Sequence, residues 1–474
     1  MHTLDRRTLI AISSALLIGA SAMCSPESLV SNTPLPPNVP DPGSTENPAG
    51  ALASYYGTLS LFNLAFAGKS FGEQNSAVLV SGMLSDELIA KENGGPSGIV
   101  DDQMSIDSRS LPEYSSTQLQ LPGSGAAITF VTFGNLSSVR GQANEARGLL
   151  TDFGTPDMKA LIGHLYAIQG ETETLLADMF CSGIPLSTVD YKGNYTLAAG
   201  SSTQDVYQHA IALYDSALAL SGDSMRFINL ASVGKGRALL ATGDYAGAAT
   251  AVAAVPDGFS YVEDYPPPGV GTSGTNGTQA TPNFAEVNNA VGGWEVSASD
   301  KEGTNGLDFR SSGDPRTASS EAGVNTHSQT LYHPNKYASD GSGPIVLADW
   351  EEARLIEAEA ALKVGDLPTW LGKLNHIREV VNDPALPDLV DPGTADARID
   401  LTFRERAFWL YLTGHRQGDL RRLVRQYGRS ESDVFPVGAY RGAHGSYGND
   451  VTVPIPAQER DANTKFTGCI NRGA

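Results

Sequence analysis

The sequence predicts a mostly α-helical fold of tetratricopeptide-like helix pairs, interrupted by one large loop-rich insertion. Three observations lead to this prediction. Apolar residues recur at the 3.6-residue helical period in several segments, a helix–Gly-Asp–helix pattern occurs twice, and a stretch rich in Gly, Ser, Thr and Asn separates the two copies. The 474 residues, 41% of them hydrophobic, suffice for one large domain or two closely packed ones.

Two amphipathic helices are predicted before the repeated pattern. Residues 157–180 carry a single apolar stripe, formed by Leu161, Leu165, Ile168, Leu175, Leu176 and Met179. The next helix covers residues 205–220. Its start has the spacing of a capping box, with Ser202 as the hydroxyl cap and the Asp205 carboxylate reaching back to a backbone N–H.

The two helix pairs share the same spacing of small residues. Gly236 lies seven residues before the turn glycine Gly243, and Ala358 lies seven residues before Gly365. Small residues let two antiparallel helices approach closely, and the Gly-Asp turn reverses the chain. The unlike sequence between the copies argues against a regular solenoid and for a helical scaffold with an insertion.

The insertion runs from about residue 256 to residue 344. A structureless loop of this length is uncommon inside a compact domain, so the segment is expected to be functional or disordered. Its aromatic residues favour an ordered loop module, because linkers without structure lack such packing groups. They include Tyr261, Tyr265, Trp294, Phe309, Tyr332 and Tyr337.

The N-terminal 23 residues have the pattern of a bacterial export signal. Arg6 and Arg7 precede an apolar run at residues 9–20 that is too short to span a bilayer. Cys24 follows a run of small residues, which predicts cleavage before it and its lipidation, although Met23 occupies a position where Gly, Ala or Ser is usual. Secretion without a lipid is the alternative.

Residues 24–48 are predicted to form a flexible, proline-rich tether between the lipid and the folded body, residues 49–474. A merely frayed terminus is the alternative. The formal net charge of −21 disfavours nucleic acid and anionic lipid head groups as partners. No second apolar run approaches transmembrane length, so the lipid is the expected membrane attachment.

The chain has three cysteines. If Cys24 is acylated, Cys181 and Cys469 remain in a compartment that permits oxidation. We expect a disulfide between them that holds the C-terminal tail to the middle of the chain. Two buried free thiols are the alternative.

Several segments together resemble the SusD/RagB family of outer-membrane nutrient-binding lipoproteins. The lipidated N-terminus is followed by LLADMFCSGIPLS, GDYAGAAT, ADWEEARLIEAEAAL, LNHIRE, FRERAFWLYLTGHRQGDLRRL and VPIPAQERDANTKF. Residues 404–422 resemble the family signature most strongly, with departures at Tyr411, Thr413 and Gly418. The likeness extends over most of the chain.

The resemblance implies a SusD-like α-α superhelix and a non-catalytic function. It implies a lipid-anchored, surface-exposed outer-membrane protein that binds a glycan or a peptide and delivers it to a TonB-dependent transporter of the SusC type. Two other classes remain open from the residues alone. They are a tetratricopeptide-like envelope scaffold that binds proteins and a secreted all-helical glycan hydrolase.

Two groups of charged residues invite a chemical interpretation. Glu351, Glu352, Glu357 and Glu359 lie on one predicted helix, but glycoside hydrolysis needs carboxylates that face each other across a cleft. We expect a solvated helix face with internal ion pairs instead. The alternating charges of residues 404–422 are likewise expected to hold helices together rather than to bind phosphate. No catalytic residue is assigned.

A metal site is not expected from the eight scattered histidines. The one candidate for calcium is a loop with alternating oxygen side chains and glycines, whose ligands would be Asp300, Glu302, Asn305 and Asp308. An ordinary loop built on Asx turns is the alternative, and no other cofactor is indicated.

If the ligand is a sugar, aromatic faces and hydrogen-bonding side chains should recognise it. The candidate residues lie in the insertion: Trp294 first, then Tyr332, Tyr337 and Arg310. The alternative for each is that it packs the loops against the helices, as most aromatic residues do.

Overall fold

The computed structural model describes residues 45–68, 76–91, 99–111, 127–262, 295–324, 328–337, 345–381, 385–440 and 445–474. The predicted signal peptide, Cys24, nearly all of the tether and Trp294 lie outside these residues. The first described helix starts at Pro48 and is capped by the side chain of Asn47.

Fourteen helices form most of the described chain. They are α1 Pro48–Ala67, α2 Ala77–Leu84, α3 Ile99–Asp107, α4 Ala127–Phe153, α5 Lys159–Met179, α6 Thr203–Leu220, α7 Met225–Thr242, α8 Tyr245–Val252, α9 Trp350–Val364, α10 Leu367–Val380, α11 Ala395–Trp409, α12 Arg416–Tyr427, α13 Glu431–Val434 and α14 Ala457–Ala462. Consecutive helices from α4 to α10 pack side by side, which gives a helical superhelix.

The two amphipathic helices that precede the repeats are confirmed as α5 and α6. At the start of α6 the Asp205 N–H donates to the Ser202 hydroxyl oxygen at 3.1 Å, as expected for a cap. The rest of the capping-box prediction is wrong. The Asp205 carboxylate accepts a hydrogen bond from the Ser202 hydroxyl at 2.7 Å. It therefore binds the side chain of Ser202 and not a backbone N–H.

Both helix pairs are confirmed, as α7/α8 and α9/α10. Gly243 and Gly365 end the first helix of each pair in the left-handed region, with φ of 87° and 78°. A Cβ on Gly236 would lie 2.6 Å from Val252, so only glycine permits this helix crossing. Helix α8 packs against α9, which makes the two pairs neighbours in space despite the insertion.

Short antiparallel strands accompany the helices, and several of them lie in or beside the described parts of the insertion. The strands are β1 Leu88–Lys91, β2 Ile184–Pro185, β3 Thr188–Val189, β4 Tyr195–Thr196, β5 Gly200–Ser201, β6 Ser260–Val262, β7 Glu295–Ala298, β8 Ser319–Val324, β9 Thr330–Pro334 and β10 Val346–Asp349. Strand β6 pairs with β10, β1 with β7, and β8 with β9. Because β6 lies at the start of the insertion and β10 just after its end, their pairing brings the two ends together beside the helices.

One hydrophobic cluster extends from Ala51 to Phe466 and includes residues of the insertion. Tyr261, Phe309 and Tyr337 are all less than a tenth exposed. These aromatic side chains attach the described parts of the insertion to the helices. Among the helices of the described ranges, none combines the length and the apolar character needed to span a bilayer.

The signature segment, residues 404–422, is confirmed as a structural element that holds helices together. Arg406 of α11 and Arg422 of α12 both contact Asp419, with N–O distances of 2.7 and 2.8 Å. Arg422 also forms a bidentate pair with Glu359 of α9. All four side chains are less than a tenth exposed. We call them the four-charge cluster; it joins three helices and is formally neutral.

The prediction of a solvated acidic face on α9 is wrong for two of its four glutamates. Glu352 and Glu359 are 1% and 0% exposed. They are buried because arginines from other helices neutralise them: Glu352 accepts two hydrogen bonds at 2.7 Å from Arg237 of α7. The expectation of internal ion pairs is confirmed.

Replacing Gly243 by Val should lower the free energy of unfolding by about 1–3 kcal/mol, because a β-branched residue is strained at positive φ. Urea unfolding followed by circular dichroism measures this loss. Gly57→Ala in the exposed interior of α1 is the matched control, since no atom lies within 4 Å of the added methyl group. It should stabilise the protein by about 0.4–1 kcal/mol. A Gly243→Val variant as stable as the parent would contradict the prediction.

Candidate ligand-binding site

The structure brings two of the predicted ligand-binding residues together. The guanidinium carbon of Arg310 lies 3.7 Å from the ring centroid of Tyr332, in a cation–π contact on the surface of strand β9. Tyr332 is half-buried, and the Nε of Arg310 is buried without a hydrogen-bond partner among the described residues. The pair therefore stays a candidate contact for a ligand.

The expectation for Tyr337 requires correction. Its ring is 7% exposed and belongs to the main hydrophobic cluster, and its hydroxyl donates to the carbonyl of Leu412 at 2.8 Å. A side chain in this environment holds the insertion against the segment that follows α11. It presents no face to a ligand.

The four oxygen side chains of the calcium candidate serve different protein partners. The carboxylate of Asp300 accepts the N–H groups of residues 310 and 311, Glu302 accepts from Tyr447, and Asp308 pairs with Arg404. The amide of Asn305 donates to two carbonyls of the segment around α13. In the described part of the chain, no group of three or more His, Cys, Asp or Glu converges as a metal site would require.

Cys181 and Cys469 form a disulfide, with their Cα atoms 5.8 Å apart and 288 positions apart in sequence. The bond closes the C-terminal tail onto the end of α5. Backbone hydrogen bonds accompany it, since the N–H of Cys181 donates to the carbonyl of Val453 and that of Ser182 to Asn471, each at 2.9 Å.

A cleft of about 460 Å³ lies where the insertion meets the helices, and we call it the Trp409 cleft. Its volume is within the range of small-molecule sites. The insertion and the segments flanking it contribute Gly258, Ser260, Pro315, Arg316, Asn335, Lys336 and Val346; the start of α9 and the end of α11 contribute Asp349, Trp350, Glu351, Phe408 and Trp409. The half-buried ring of Trp409 among charged and amide side chains matches the chemistry of a sugar, which has apolar ring faces and polar edges. The rings of Trp350 and Phe408 are 4% and 1% exposed and pack beneath it in the wall.

Trp409 combines two properties of a binding residue. Its ring is half-buried and is contacted on one side by the guanidinium of Arg316, 4.8 Å from the ring centroid. Its indole Nε1 is buried and lacks a hydrogen-bond partner among the described residues. A buried donor without an acceptor is costly, so an acceptor supplied by a ligand would stabilise it.

The two cations of the cleft are largely occupied by the protein. The guanidinium of Arg316 donates to the carboxylates of Asp314 and Glu405 through four hydrogen bonds of 2.7 to 3.3 Å. The ammonium of Lys336 donates to the carbonyls of Trp409 and Tyr411 at 3.3 and 2.9 Å. Both side chains are thereby fixed in position at the wall of the cleft.

The two carboxylates of the cleft, by contrast, form no ion pair with any described residue. Asp349 caps α9 by accepting the N–H of Glu352 at 2.7 Å, and Glu351 lies in the first turn of the same helix. Burial raises the pKa of Asp349 to about 6. Burial and the neighbouring charge of Asp349 raise the pKa of Glu351 to about 8.

Sequence analysis did not find the Trp409 cleft. Its lining comes from chain segments more than 140 positions apart, such as Gly258 and Trp409, and no local pattern shows that they meet. The available signal was Trp409 itself. It is a large aromatic residue at the last position of α11, where the apolar face of the helix has already ended.

A second pocket of about 320 Å³ lies between α11, α12, α13 and the loop at residues 300–308. Its floor is apolar, and its rim charges are paired within the protein. Arg404 contacts Asp308 at 2.7 Å, and Arg429 contacts Asp400 at 2.8 Å. With paired rim charges it offers a ligand fewer unsatisfied groups than the Trp409 cleft.

The architecture defines a class: a tetratricopeptide-like helical superhelix that carries a loop-rich insertion with a cleft at their junction. No family model and no curated protein matches the sequence. Solved structures of the SusD superfamily do match it over nearly their full length. A member from Parabacteroides distasonis is 14% identical, with 89% of this chain and 98% of that one covered and a TM-score of 0.62.

Two proteins from Bacteroides vulgatus match in the same way. A SusD superfamily protein is 16% identical, with 91% of this chain and 99% of that one covered and a TM-score of 0.55. A SusD-like carbohydrate binding protein is 14% identical, with 89% and 97% covered and a TM-score of 0.57. The chain therefore has the SusD fold, and the resemblance seen in the sequence is confirmed at the level of the fold.

Proposed function

We propose that this protein is a lipid-anchored binding protein of the outer membrane that captures a glycan in the Trp409 cleft. It delivers the glycan to a TonB-dependent transporter of the SusC type and does not itself cleave it. The observation that carries the proposal is the cleft, where the half-buried ring of Trp409 and its unpartnered indole N–H border a volume suited to a small sugar. The SusD fold and the description of one structural neighbour as a carbohydrate binding protein support it.

The arrangement of carboxylates favours binding over hydrolysis. Glycoside hydrolysis uses one carboxyl group on each side of the scissile bond. The two carboxylates among the lining residues are Asp349 and Glu351, and both come from the start of α9. They therefore share one wall of the cleft, and among the described residues no lining carboxylate faces them from α11 or from the insertion.

Replacing Trp409 by Ala should weaken glycan binding about tenfold or more, because a truncated aromatic residue loses both its stacking face and its buried contact area. Isothermal titration calorimetry with the best ligand from a carbohydrate array measures this loss. Tyr195→Ala is the matched control, since Tyr195 is 71% exposed on strand β4, outside the cleft lining. Equal affinity of the parent and the Trp409→Ala variant, both folded by circular dichroism, would remove the cleft from the proposal.

The proposed transporter partner is tested separately by affinity purification from solubilised outer membranes. The expected result is co-purification of a large TonB-dependent barrel whose gene lies beside that of this protein. Recovery of envelope assembly proteins, together with no ligand on the carbohydrate array, would instead favour the scaffold class.

A further inference from the structure

Trp409 is the aromatic residue of the described cleft lining that has most surface left for a ligand. The rings of Trp350 and Phe408 are 4% and 1% exposed, whereas Trp409 is half-buried. The backbone of Trp409 is held by Lys336, whose ammonium donates to its carbonyl at 3.3 Å. A side chain that is already ordered loses less entropy when a ligand stacks on it. The affinity of the cleft should therefore depend on what orients the indole.

The guanidinium of Arg316 is held between two carboxylates. It donates to Asp314 at 2.9 and 2.7 Å and to Glu405 at 2.8 and 3.3 Å, and its side chain is 9% exposed. Glu405 is itself held by Arg378 of α10, with N–O distances of 3.2 and 2.5 Å. Two bidentate pairs on one planar group fix both its position and its plane.

This guanidinium lies over the indole ring of Trp409. Its central carbon is 4.8 Å from the ring centroid of Trp409 and 5.3 Å from that of Phe408. A planar guanidinium stacks on aromatic faces, whereas the ammonium of a lysine is a compact point charge without a plane. Arg316 thus supports one face of the indole, and a glycan has to stack on the other.

We propose that Arg316 is a positioning residue of the Trp409 cleft, which orients the indole on which a glycan stacks. The inference rests on the proposed function and names the residue that prepares the same site for binding. Four of the five N–H groups of Arg316 donate to Asp314 and Glu405. The fifth forms no hydrogen bond with a described residue, so a direct hydrogen bond from Arg316 to the glycan is the competing explanation.

The first test observes Trp409 in the protein without a ligand, by fluorine NMR after incorporation of fluorotryptophan. The chain has four tryptophans, and the resonance of Trp409 is identified by its loss in Trp409→Phe. In Arg316→Lys, which keeps the positive charge but not the planar fork, this resonance should shift and broaden. The resonance of Trp370 should stay in place, because that ring is fully buried and its Nε1 donates to Thr402 at 2.8 Å.

The second test measures affinity for cellotriose, maltotriose and triacetylchitotriose by calorimetry. For the trisaccharide that the parent binds most tightly, Arg316→Lys should weaken binding about three- to tenfold, which corresponds to ordering one freed side chain. Asp314→Asn should weaken binding in the same direction and by less, although Asp314 does not line the cleft. Arg398→Lys is the matched control, since Arg398 forms a bidentate pair with Asp391 at 2.7 and 2.8 Å and lies outside the lining.

A cycle with Trp409→Ala separates positioning from direct contact. In the Trp409→Ala background, Arg316→Lys should cause little further loss of affinity, because no indole is left to orient. A direct hydrogen bond from Arg316 to the sugar would instead give the same loss in both backgrounds. NMR titration to millimolar sugar measures the weak affinities of this background.

The outcomes separate this inference from the proposed function. An unchanged Trp409 resonance in Arg316→Lys and Asp314→Asn would overturn the inference, as would a shifted resonance with unchanged affinity. Equal losses in the two backgrounds would assign Arg316 a direct contact and would also overturn it. If Arg316→Lys does not fold, Asp314→Asn carries both tests. Binding of no glycan by the parent would overturn the proposed function, and the fluorine spectra would still confirm or overturn the orientation of Trp409 by Arg316.

Discussion

The Glu359→Gln variant should lose about 3–5 kcal/mol of unfolding free energy, the cost of breaking a buried ion pair by removing one partner. Glu359 is fully buried and accepts from both terminal nitrogens of Arg422 and from the hydroxyl of Tyr427. Without its charge the four-charge cluster holds Arg406 and Arg422 against Asp419 alone. One positive charge then stays buried without compensation.

Urea unfolding at pH 7 measures the loss, and a surface ion pair provides the control. The ammonium of Lys235 lies 2.5 Å from the carboxylate of Asp215, whose side chain is 56% exposed. Asp215→Asn should cost about 0–1 kcal/mol, because exposed pairs are screened by water and salt. Similar losses in the two variants would show that burial does not govern the strength of these pairs.

A double variant separates the charge from the packing. Glu359→Leu combined with Arg422→Met removes one negative and one positive charge, so the cluster is neutral again. It should recover part of the stability that either single substitution loses, because a hydrophobic pair replaces a buried ion pair at little cost. Additive losses in the double variant would contradict the four-charge cluster as a coupled unit.

Acid should weaken the same cluster through Asp419. Burial alone would raise the pKa of Asp419, but the charges of Arg406 and Arg422 outweigh burial and hold that pKa well below its usual range. Its stabilising contribution is therefore complete above the pKa of the unfolded chain, about 4, and declines as the pH falls below it.

The helical frame was predictable because its determinants are local. The apolar stripe of residues 157–180 and the Gly-Asp turns at Gly243 and Gly365 fix helix ends and directions within a few residues of chain. The ion pairs were predictable in kind but not in pairing. Glu352 pairs with Arg237, which lies 115 positions away in the sequence. The periodicity of either helix therefore does not predict the contact.

The departures of the signature segment show the same limit. Gly418 is one of the departures from the family signature, and the sequence alone offers no reason for it. In the structure a Cβ at this position would lie 2.6 Å from the carboxylate of Asp178, which in turn accepts from the hydroxyl of Tyr207 at 2.5 Å. The glycine admits a buried carboxylate from α5, a contact that only the tertiary structure defines.

The ligand-binding residues were the hardest to predict. The sequence does not distinguish an aromatic residue that packs in the core from one that contacts a ligand. Tyr337 and Tyr332 are five positions apart in the same segment, yet one is buried and the other lies under Arg310 at the surface. The loop at residues 300–308 illustrates the converse. Its oxygen side chains suit calcium by type, but nearby donors such as Arg404 and Tyr447 engage them instead.

Loss of the disulfide should be the second large effect on stability. Replacing Cys181 and Cys469 by Ala should lower the free energy of unfolding by about 2–5 kcal/mol, because the bond closes a very long loop in the unfolded chain. The two cysteines are 288 positions apart, and the entropy that a disulfide removes from the unfolded chain grows with the length of the loop it closes. Thermal unfolding with and without dithiothreitol measures the effect.

The reductant should act on the parent protein and leave the double Ala variant unchanged. In a chain that begins after Cys24 these two cysteines are the only ones, so the comparison isolates this bond. An unchanged melting temperature of the parent under reduction would contradict the prediction.

The folded state should nevertheless keep its tail in place when the bond is broken. Phe466 is buried in the main cluster, and the N–H of Ile470 donates to the carbonyl of Ser182 at 2.7 Å. These contacts do not depend on the sulfur atoms. Because the disulfide acts mainly on the unfolded chain, reduction should lower the melting temperature while glycan affinity at 25 °C stays that of the parent. A loss of affinity at a temperature where the reduced protein is still folded would show instead that the bond shapes the Trp409 cleft.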